Sequence, residues 1–255
     1  MSLPIWTPDA LASEAGPYAG LCWRVVEAQH AVSTMKLVDS WQEQQLLEEL
    51  LEDSKPPVPP ECERLHYLLF TPFRYDNRHG GSRFRAPGER QGVFYAAQQL
   101  RTALCEAAFW RLLFFAESPQ TPWPAEPLEH TAFSVQVDTH HALDLTQKPF
   151  ADHEQAWRHP TDYAACRQLA QAARKGGVEL IRYRSVRDPQ GGLNVALLTC
   201  RAFARDEPAE YQTWKFVLKS TGVIILRAAP WQEQFTLPRT HFAHDPRTQN
   251  MRWER

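Results

Sequence analysis

One stretch constrains the fold of this chain more than any other: residues 81–110, GSRFRAPGERQGVFYAAQQLRTALCEAAFW. It begins with a glycine-led turn that carries Arg83 and Arg85, and a short strand containing Tyr95 follows. A helix is predicted from about Gln98 into Phe115. Because turn, strand and helix follow one another closely, their side chains are predicted to share one site.

The predicted helix holds a single charged residue between positions 102 and 110. This residue is Glu106, and its neighbours are alanine, leucine, cysteine and phenylalanine. A carboxylate on so apolar a stretch is costly to bury unless something pairs with it. The expected partners are Arg83 and Arg85 upstream. The combination indicates a site for an anionic ligand that also carries a positive charge.

The length and charge of the chain limit its class. At 255 residues it fits one large domain, or one domain with an N-terminal addition. We expect an extended or loosely packed extension at residues 1–20. A single domain is expected at 21–255, with a helical insertion at about 33–60. The net charge of -2 predicts neither direct nucleic-acid binding nor attraction to a membrane surface.

The spacing of the cysteines and histidines matches no common metal-binding or disulfide motif. The five cysteines are far apart and include no CxxC pair, so neither a zinc knuckle nor a disulfide framework is predicted. No H-E-x-x-H motif is present, and we predict no metal site. The chain has no apolar run of membrane-spanning length, and its beginning does not resemble a signal peptide. A cytoplasmic protein is the expectation.

The pattern of apolar residues predicts several short strands and about three helices without regular alternation. This indicates an α+β fold with a mixed, curved sheet and flanking helices. A strand is expected at 66–70 and a hairpin at 211–226. Leu46, Leu47, Leu50 and Leu51 recur at helical spacing and are expected to pack on the domain. The tail from Pro230 has no assigned structure.

Four segments resemble the RES domain family, and they occur in the family's order. They are GSRF at 81–84, VFYA at 93–96, TALCE at 102–106 and RSVRDPQGGLN at 184–194. The resemblance covers residues 21–226. It implies an ADP-ribosyltransferase-like fold with a split sheet and an NAD cleft between its halves. No G-x-G-x-x-G follows a strand, so NAD is expected as a substrate and no cofactor is predicted.

The resemblance also suggests roles for individual residues. Glu106 would stabilise the oxocarbenium-like state formed when the nicotinamide–ribose bond breaks. Tyr95 would stack on nicotinamide, and Arg83 would hold a phosphate or a ribose hydroxyl. These three are the predicted catalytic residues. The predicted NAD-binding residues are Arg24, Ser185, Arg74 and Asn194.

Several of these assignments have structural alternatives. Arg24 is equally an exposed strand arginine, and Arg74 is equally a loop anchor. Ser185 would bind the carboxamide or a phosphate of NAD, unless it bonds its own backbone as turn serines do. Asn194 is equally a structural amide that fixes the loop.

The function implied is an NAD-consuming enzyme, the toxin of a bacterial toxin–antitoxin pair. Its protein partner would be an antitoxin with an Xre-like helix-turn-helix, and a homo-oligomer is a further candidate assembly. The acceptor stays open among water, phosphate and a protein side chain. Two alternatives belong to other classes. One is a nucleic-acid-binding module that uses the arginines and aromatic residues of segment 73–90, and the other is a nucleotide binder without enzymatic activity.

Overall fold

The structure is a computed structural model that describes residues 6–28, 37–75, 80–228 and 233–254. Its helices are α1 (Pro8–Glu14), α2 (Trp41–Asp53), α3 (Tyr67–Arg74), α4 (Leu100–Glu117), α5 (Glu154–Trp157), α6 (Ala164–Lys175) and α7 (Arg239–Phe242). Its strands are β1 (Gly16–Glu27), β2 (Phe94–Ala97), β3 (Leu128–Asp144), β4 (Leu180–Arg184), β5 (Leu193–Leu197), β6 (Glu210–Lys219), β7 (Gly222–Arg227) and β8 (Gln234–Pro238).

The eight strands form one sheet that closes partly on itself. Its order is β1-β2-β5-β4-β3-β6-β7-β8, and β1 also pairs with β3, so the first five strands make a ring. The long strand β3 pairs with β1 along one edge. On its other edge it pairs with β6 over residues 128–134 and with β4 over residues 142–144. The sheet therefore divides along β3, and the strongly curved arrangement places the ends of β2 and β5 beside α4.

The predicted α+β class with a mixed sheet is confirmed. The β3–β4 pair is parallel, while the other named pairs are antiparallel. Helices flank the sheet on both sides. The hairpin expected at 211–226 is the pair β6–β7.

Three apolar cores hold these layers together. The interior of the ring is filled by side chains such as Phe94 and Phe133. A second core lies between α4 and the β6–β7 hairpin and includes Phe109 and Phe216. The third lies between α6 and the outer face of the ring. Helix α4 is buried along much of its surface, which explains its nearly continuous apolar sequence.

The strand expected at 66–70 is wrong, because these residues begin helix α3. His66 caps the helix, since its Nδ1 accepts from the backbone N–H of Leu68 at 3.3 Å. Leu69 and Phe73, one helical turn apart, are both buried. A short apolar run fits both a buried strand and a buried helix. Here the buried residues recur at helical spacing, and the segment is a helix.

The expected loose packing of residues 1–20 is also wrong for the described part, residues 6–20. Thr7 caps α1 through a bond from the backbone N–H of Ala10 at 3.2 Å, and Leu11 is fully buried. Strand β1 then runs without a break through the predicted boundary at residue 20. The N-terminal segment is therefore part of the sheet.

Helix α2 occurs within the predicted insertion, and part of that insertion, residues 33–36, lies outside the described residues. Ser40 caps the helix, since its Oγ accepts from the backbone N–H of Glu43 at 3.2 Å. The expected packing of its leucines is wrong for this helix: Leu50 is 59% exposed and Leu46 56% exposed. Within α2 the buried residue is Gln44.

Cys62 and Cys200 are joined by a disulfide, contrary to the expectation that the cysteines form no disulfide framework. They lie 138 residues apart, so no local spacing pattern reveals the pair. The bond connects the turn before α3 to the turn after β5. Cys22, Cys105 and Cys166 are free and buried.

Among the described residues, no helix has both the length and the apolar character needed to cross a membrane.

Candidate active site

A cavity of about 530 Å³ lies between α4 and strands β1 and β2. Five of the seven predicted site residues line it, namely Arg24, Arg83, Tyr95, Asn194 and Glu106. The side of α4 that borders the cavity carries residues spaced by one helical turn, including Glu106, Trp110 and Phe114. The opposite side of the helix, with Leu104 and Phe109, packs into the second core.

The carboxylate of Glu106 is held in one orientation by two hydrogen bonds. Its Oε1 accepts from Ser185 Oγ at 2.7 Å and from Asn194 Nδ2 at 2.7 Å. Both bonds use the same oxygen, and among the described residues Oε2 has no hydrogen-bond partner. The expected pairing with Arg83 and Arg85 is wrong. A neutral hydroxyl and an amide hold the carboxylate, so its negative charge is left for a ligand in the cavity.

Ser185 is fully engaged in positioning Glu106. Its Oγ accepts from the backbone N–H groups of Arg187 and Asp188, both at 3.1 Å, while donating to Glu106. The residue is buried and does not line the cavity. The sequence predicted that Ser185 contacts NAD directly. In the structure it lies behind the carboxylate of Glu106 instead. Asn194 both lines the cavity and donates to Glu106.

The turn between Ser185 and Asn194 is anchored to the start of α4. Thr102 Oγ1 donates to Asp188 Oδ2 at 2.7 Å. A side chain at Gly192 would collide with both of those groups, so glycine permits the close approach. This contact brings the ends of β4 and β5 to the level of Glu106.

Tyr95 supports the arginine turn through its hydroxyl group. The Tyr95 hydroxyl lies 2.7 Å from Ser82 Oγ and accepts from the backbone N–H of Phe84 at 3.0 Å. Burial raises the pKa of Tyr95 to about 12, so the phenol stays protonated at neutral pH. Its ring remains on the cavity wall, where the predicted stacking would require it.

Arg83 lies buried at the cavity wall between backbone and aromatic partners. Its Nη1 donates to the carbonyls of Trp157 and His159 at 2.6 and 3.1 Å. The guanidinium carbon lies 4.6 Å from the centre of the Tyr163 ring. A side chain at Gly81 would collide with the guanidinium of Arg167, so glycine permits these two segments to pack closely.

Arg24 adds a second cation from strand β1. Its Nη1 donates to the carbonyl of Tyr95 at 2.9 Å, and its guanidinium carbon lies 4.8 Å from the centre of the Phe94 ring. Burial lowers the pKa of Arg24 to about 10, so it stays charged at neutral pH.

Arg74 does not belong to the cavity. Its Nη1 donates to Glu52 at 2.6 Å and its Nε donates to the carbonyl of Pro56 at 2.5 Å. The prediction that Arg74 binds NAD is therefore corrected to its alternative, an anchor that ties α2 to α3. Arg85 is buried as well, and it donates to the carbonyls of Tyr75, Glu89 and Arg90.

Several residues that line the cavity were not predicted from the sequence. Tyr183 and Arg187 flank Ser185 in sequence, and both reach the cavity wall. Burial raises the pKa of Tyr183 well above its usual value. Trp110 and Phe114 follow Glu106 at spacings of four and eight, which is a helical-face signal that was available in the sequence. Arg187 lies within the family-like segment 184–194, which was a signal of its own. Tyr183 had none, because its place at the cavity depends on how β4 packs.

No group of three metal-binding side chains comes together among the described residues. His130 lines the cavity as a buried neutral ring. It stacks on Phe216 with ring centres 3.9 Å apart, and its Nδ1 lies 3.1 Å from the Leu128 carbonyl. Burial, with a smaller effect from Arg111, lowers the pKa of His130 below its usual value.

This burial predicts a loss of stability in mild acid. The unfolded chain takes up a proton on His130 below about pH 6.5, while the folded protein resists it. The free energy of unfolding is therefore expected to fall as pH drops through 6.5. Urea unfolding at pH 8, 6.5 and 5.5 measures this, and His130→Phe should show a shallower decline. Equal slopes for the two proteins would contradict the prediction.

Comparison with known proteins gives a match to one family model and a similar solved structure. The RES domain family model matches residues 58–219, more than half of the sequence. A search of the curated proteins gives no match. Among solved structures, a similar chain occurs in the crystal structure of the M. tuberculosis MbcT-MbcA toxin-antitoxin complex. The alignment covers 79% of this chain and 90% of that chain, with 13% identity and a TM-score of 0.46.

The matched segment contains Arg83, Tyr95, Glu106, Ser185 and Asn194, whereas Arg24 and the C-terminal segment lie outside it. Because the family model accounts for most of the chain, including the segments that hold Glu106 in place, this protein belongs to the RES domain family.

Proposed function

We propose that this protein consumes NAD by cleaving the bond between nicotinamide and ribose. One observation carries the proposal: the carboxylate of Glu106 is fixed through Oε1, and its other oxygen is unpartnered among the described residues. The carboxylate lies in a cavity that also contains Arg24, Arg83 and Arg187. A ligand that suits such a cavity combines a cationic ring with an anionic diphosphate.

The chemistry follows from the charge that develops during cleavage. As the bond to nicotinamide breaks, positive charge accumulates on the ribose ring. A carboxylate already oriented toward that charge stabilises the transition state more than the neutral products. Glu106 takes this role. The nicotinamide ring, cationic before cleavage, would lie against the ring of Tyr95.

The other residues of the site bind the substrate or hold Glu106 and the turn with Arg83 in place. Arg24 is half-buried and Arg83 is buried, and both line the cavity as cations, which suits diphosphate oxygens. Ser185 and Asn194 hold the carboxylate of Glu106, and the Tyr95 hydroxyl holds the arginine turn. NAD is a substrate in this scheme and no cofactor is required. The acceptor of the ADP-ribosyl group is water, phosphate or a protein side chain.

Membership of the RES family supports a biological role as well. Proteins of this family are typically toxins paired with an antitoxin that carries an Xre-like helix-turn-helix. We propose the same role here, with the protein acting in the cytoplasm and an antitoxin as its partner.

The nucleic-acid alternative is disfavoured by the positions of its arginines. In the described part of segment 73–90, Arg83 and Arg85 are buried and donate to backbone carbonyls. Arg74 is paired with Glu52. Side chains that hold a phosphate backbone need to be displayed on the surface, and among the described arginines of this segment Arg90 is the exposed one.

The test is nicotinamide release from NAD by the purified protein, with and without phosphate. We expect release, and faster release with phosphate would identify phosphate as the acceptor. If free NAD is left intact, labelled NAD incubated with the protein and a cell lysate tests transfer to a protein side chain. Absence of both reactions would contradict an enzymatic function and leave the non-enzymatic nucleotide binder.

A further inference from the structure

The cavity has a second end, about two helical turns from Glu106, that the proposed chemistry does not use. Trp110 and Phe114 lie four and eight residues beyond Glu106 on the same side of α4, about 6 and 12 Å along the helix axis. Both line the cavity and both are 49% exposed. We call Trp110 and Phe114 the aromatic rim.

Large exposed rings are costly to leave in water unless they serve a purpose at the surface. Here they border a cavity instead of lying scattered over the protein. Trp110 makes an edge-to-face contact with Phe109, with ring centres 5.6 Å apart. A flat aromatic base is a suitable ligand for such rings, since every base has a face on which it can stack.

An unsatisfied donor lies at the same end of the cavity. Arg111 lines the cavity and pairs through Nη2 with Glu27 at 2.6 Å. Its Nε is buried and has no hydrogen-bond partner among the described residues. A buried donor without a partner costs free energy, and a polar ligand in the cavity would relieve that cost. Arg111 also lies 5.8 Å from the centre of the Phe114 ring.

We propose that the aromatic rim binds the adenine base of NAD and that Arg111 Nε donates to its adenosine half. This inference rests on the proposed function. NAD has two rings separated by a diphosphate, and the cavity has two ends separated by about two helical turns. Glu106 and Tyr95 take the nicotinamide riboside, while Arg24 and Arg83 lie nearer to that end.

The experiment measures binding in the Glu106→Gln background, so that turnover does not consume the ligand. Calorimetry gives the Kd for ADP-ribose, which contains adenine, and for nicotinamide mononucleotide, which lacks it. Adding Trp110→Ala should weaken ADP-ribose binding by at least about fivefold, because stacking one base is worth about 1–3 kcal/mol. Binding of nicotinamide mononucleotide should stay the same. Trp110→Phe should recover much of the affinity for ADP-ribose.

Trp41→Ala is the matched control, because Trp41 is also an exposed tryptophan, 63% exposed on helix α2. Equal ADP-ribose affinity in the Trp110→Ala and Trp41→Ala proteins would overturn the subsite. Equal weakening of both ligands would also overturn it, since the change would then not be specific to adenine. Phe114→Ala and Arg111→Met provide independent variants of the same test.

Nicotinamide release by the wild-type protein is measured in parallel. Release without a Trp110 effect on ADP-ribose binding would leave the proposed function in place and remove the subsite alone. A Trp110 effect on binding with neither nicotinamide release nor transfer to a protein in lysate would support the subsite and count against the enzyme. A wild-type protein that binds neither ligand would overturn the subsite.

Discussion

Replacing Glu106 with glutamine is expected to slow nicotinamide release from NAD by about two to three orders of magnitude. The negative charge opposite the developing oxocarbenium ion would be lost, and one well-placed electrostatic group in a transition state contributes about 10²–10³ in rate. Glutamine keeps a carbonyl oxygen that can accept from Ser185 Oγ and Asn194 Nδ2, the two bonds that hold Glu106. The fold and the affinity for NAD are therefore expected to persist.

The measurement is the release rate at saturating NAD, together with the Kd for NAD in the variant. Glu117→Gln is the matched control, because Glu117 is an exposed carboxylate at the end of the same helix. It should behave like the wild type. A Glu106→Gln protein with full activity would remove Glu106 from the mechanism.

The second large effect is expected at Asp245, which lies in the C-terminal segment outside the family match. Its carboxylate pairs with Arg187 at 2.6 Å, and the two side chains are 3% and 6% exposed. Burial alone would raise the pKa of Asp245, but the hydrogen bonds and charge of Arg247, with the charge of Arg187, hold it below its usual value. Arg187 also lies 3.7 Å over the centre of the Phe109 ring.

Asp245→Ala would leave the buried guanidinium of Arg187 without its anionic partner. Removing one member of a buried ion pair typically costs about 3–5 kcal/mol, and we expect that loss in the free energy of unfolding measured by urea. Nicotinamide release should fall as well. The backbone N–H of Arg187 donates to Ser185 Oγ, and Ser185 in turn donates to Glu106.

Glu254→Ala provides the comparison, since it breaks the exposed pair with Arg239 at 3.6 Å in the same C-terminal segment. Exposed pairs contribute about 0–1 kcal/mol, so this variant should be near the wild type. If the Asp245→Ala protein does not fold, Asp245→Asn is the milder form. A stability loss for Asp245→Asn no larger than that for Glu254→Ala would contradict the expected importance of the buried pair.

Local sequence patterns predicted the elements around the site well. Glycine turn, strand and helix in residues 81–110 are present, because each depends mainly on neighbours a few residues away. Five of the seven predicted site residues share one cavity. The same local information could not distinguish strand from helix at residues 66–70, where a short apolar run fits both.

The hydrogen-bond and ion-pair partners of the arginines were harder to predict from the sequence. Arg83 and Arg85 were expected to pair with Glu106, yet both donate to backbone carbonyls that the sequence gives no means of locating. Arg74 illustrates the same problem, since its partner Glu52 lies on helix α2, 22 residues away. An arginine can donate hydrogen bonds to any nearby carbonyl or carboxylate, so the residue type alone does not predict which acceptor it uses.

The sequence by itself determined the α+β class, the segments shared with the RES family and Glu106 as the residue that needs an explanation. A lone carboxylate on an apolar helix is costly to bury without a partner, and this holds whatever the rest of the fold. Tertiary structure alone decided that Ser185 and Asn194 hold that carboxylate, and that Asp245 holds the loop behind it. The two hydrogen bonds to Glu106 join residues 79 and 88 positions apart, and the Asp245–Arg187 pair joins two further distant segments. Only the tertiary fold brings such residues within hydrogen-bonding distance, because no local pattern in the sequence relates them.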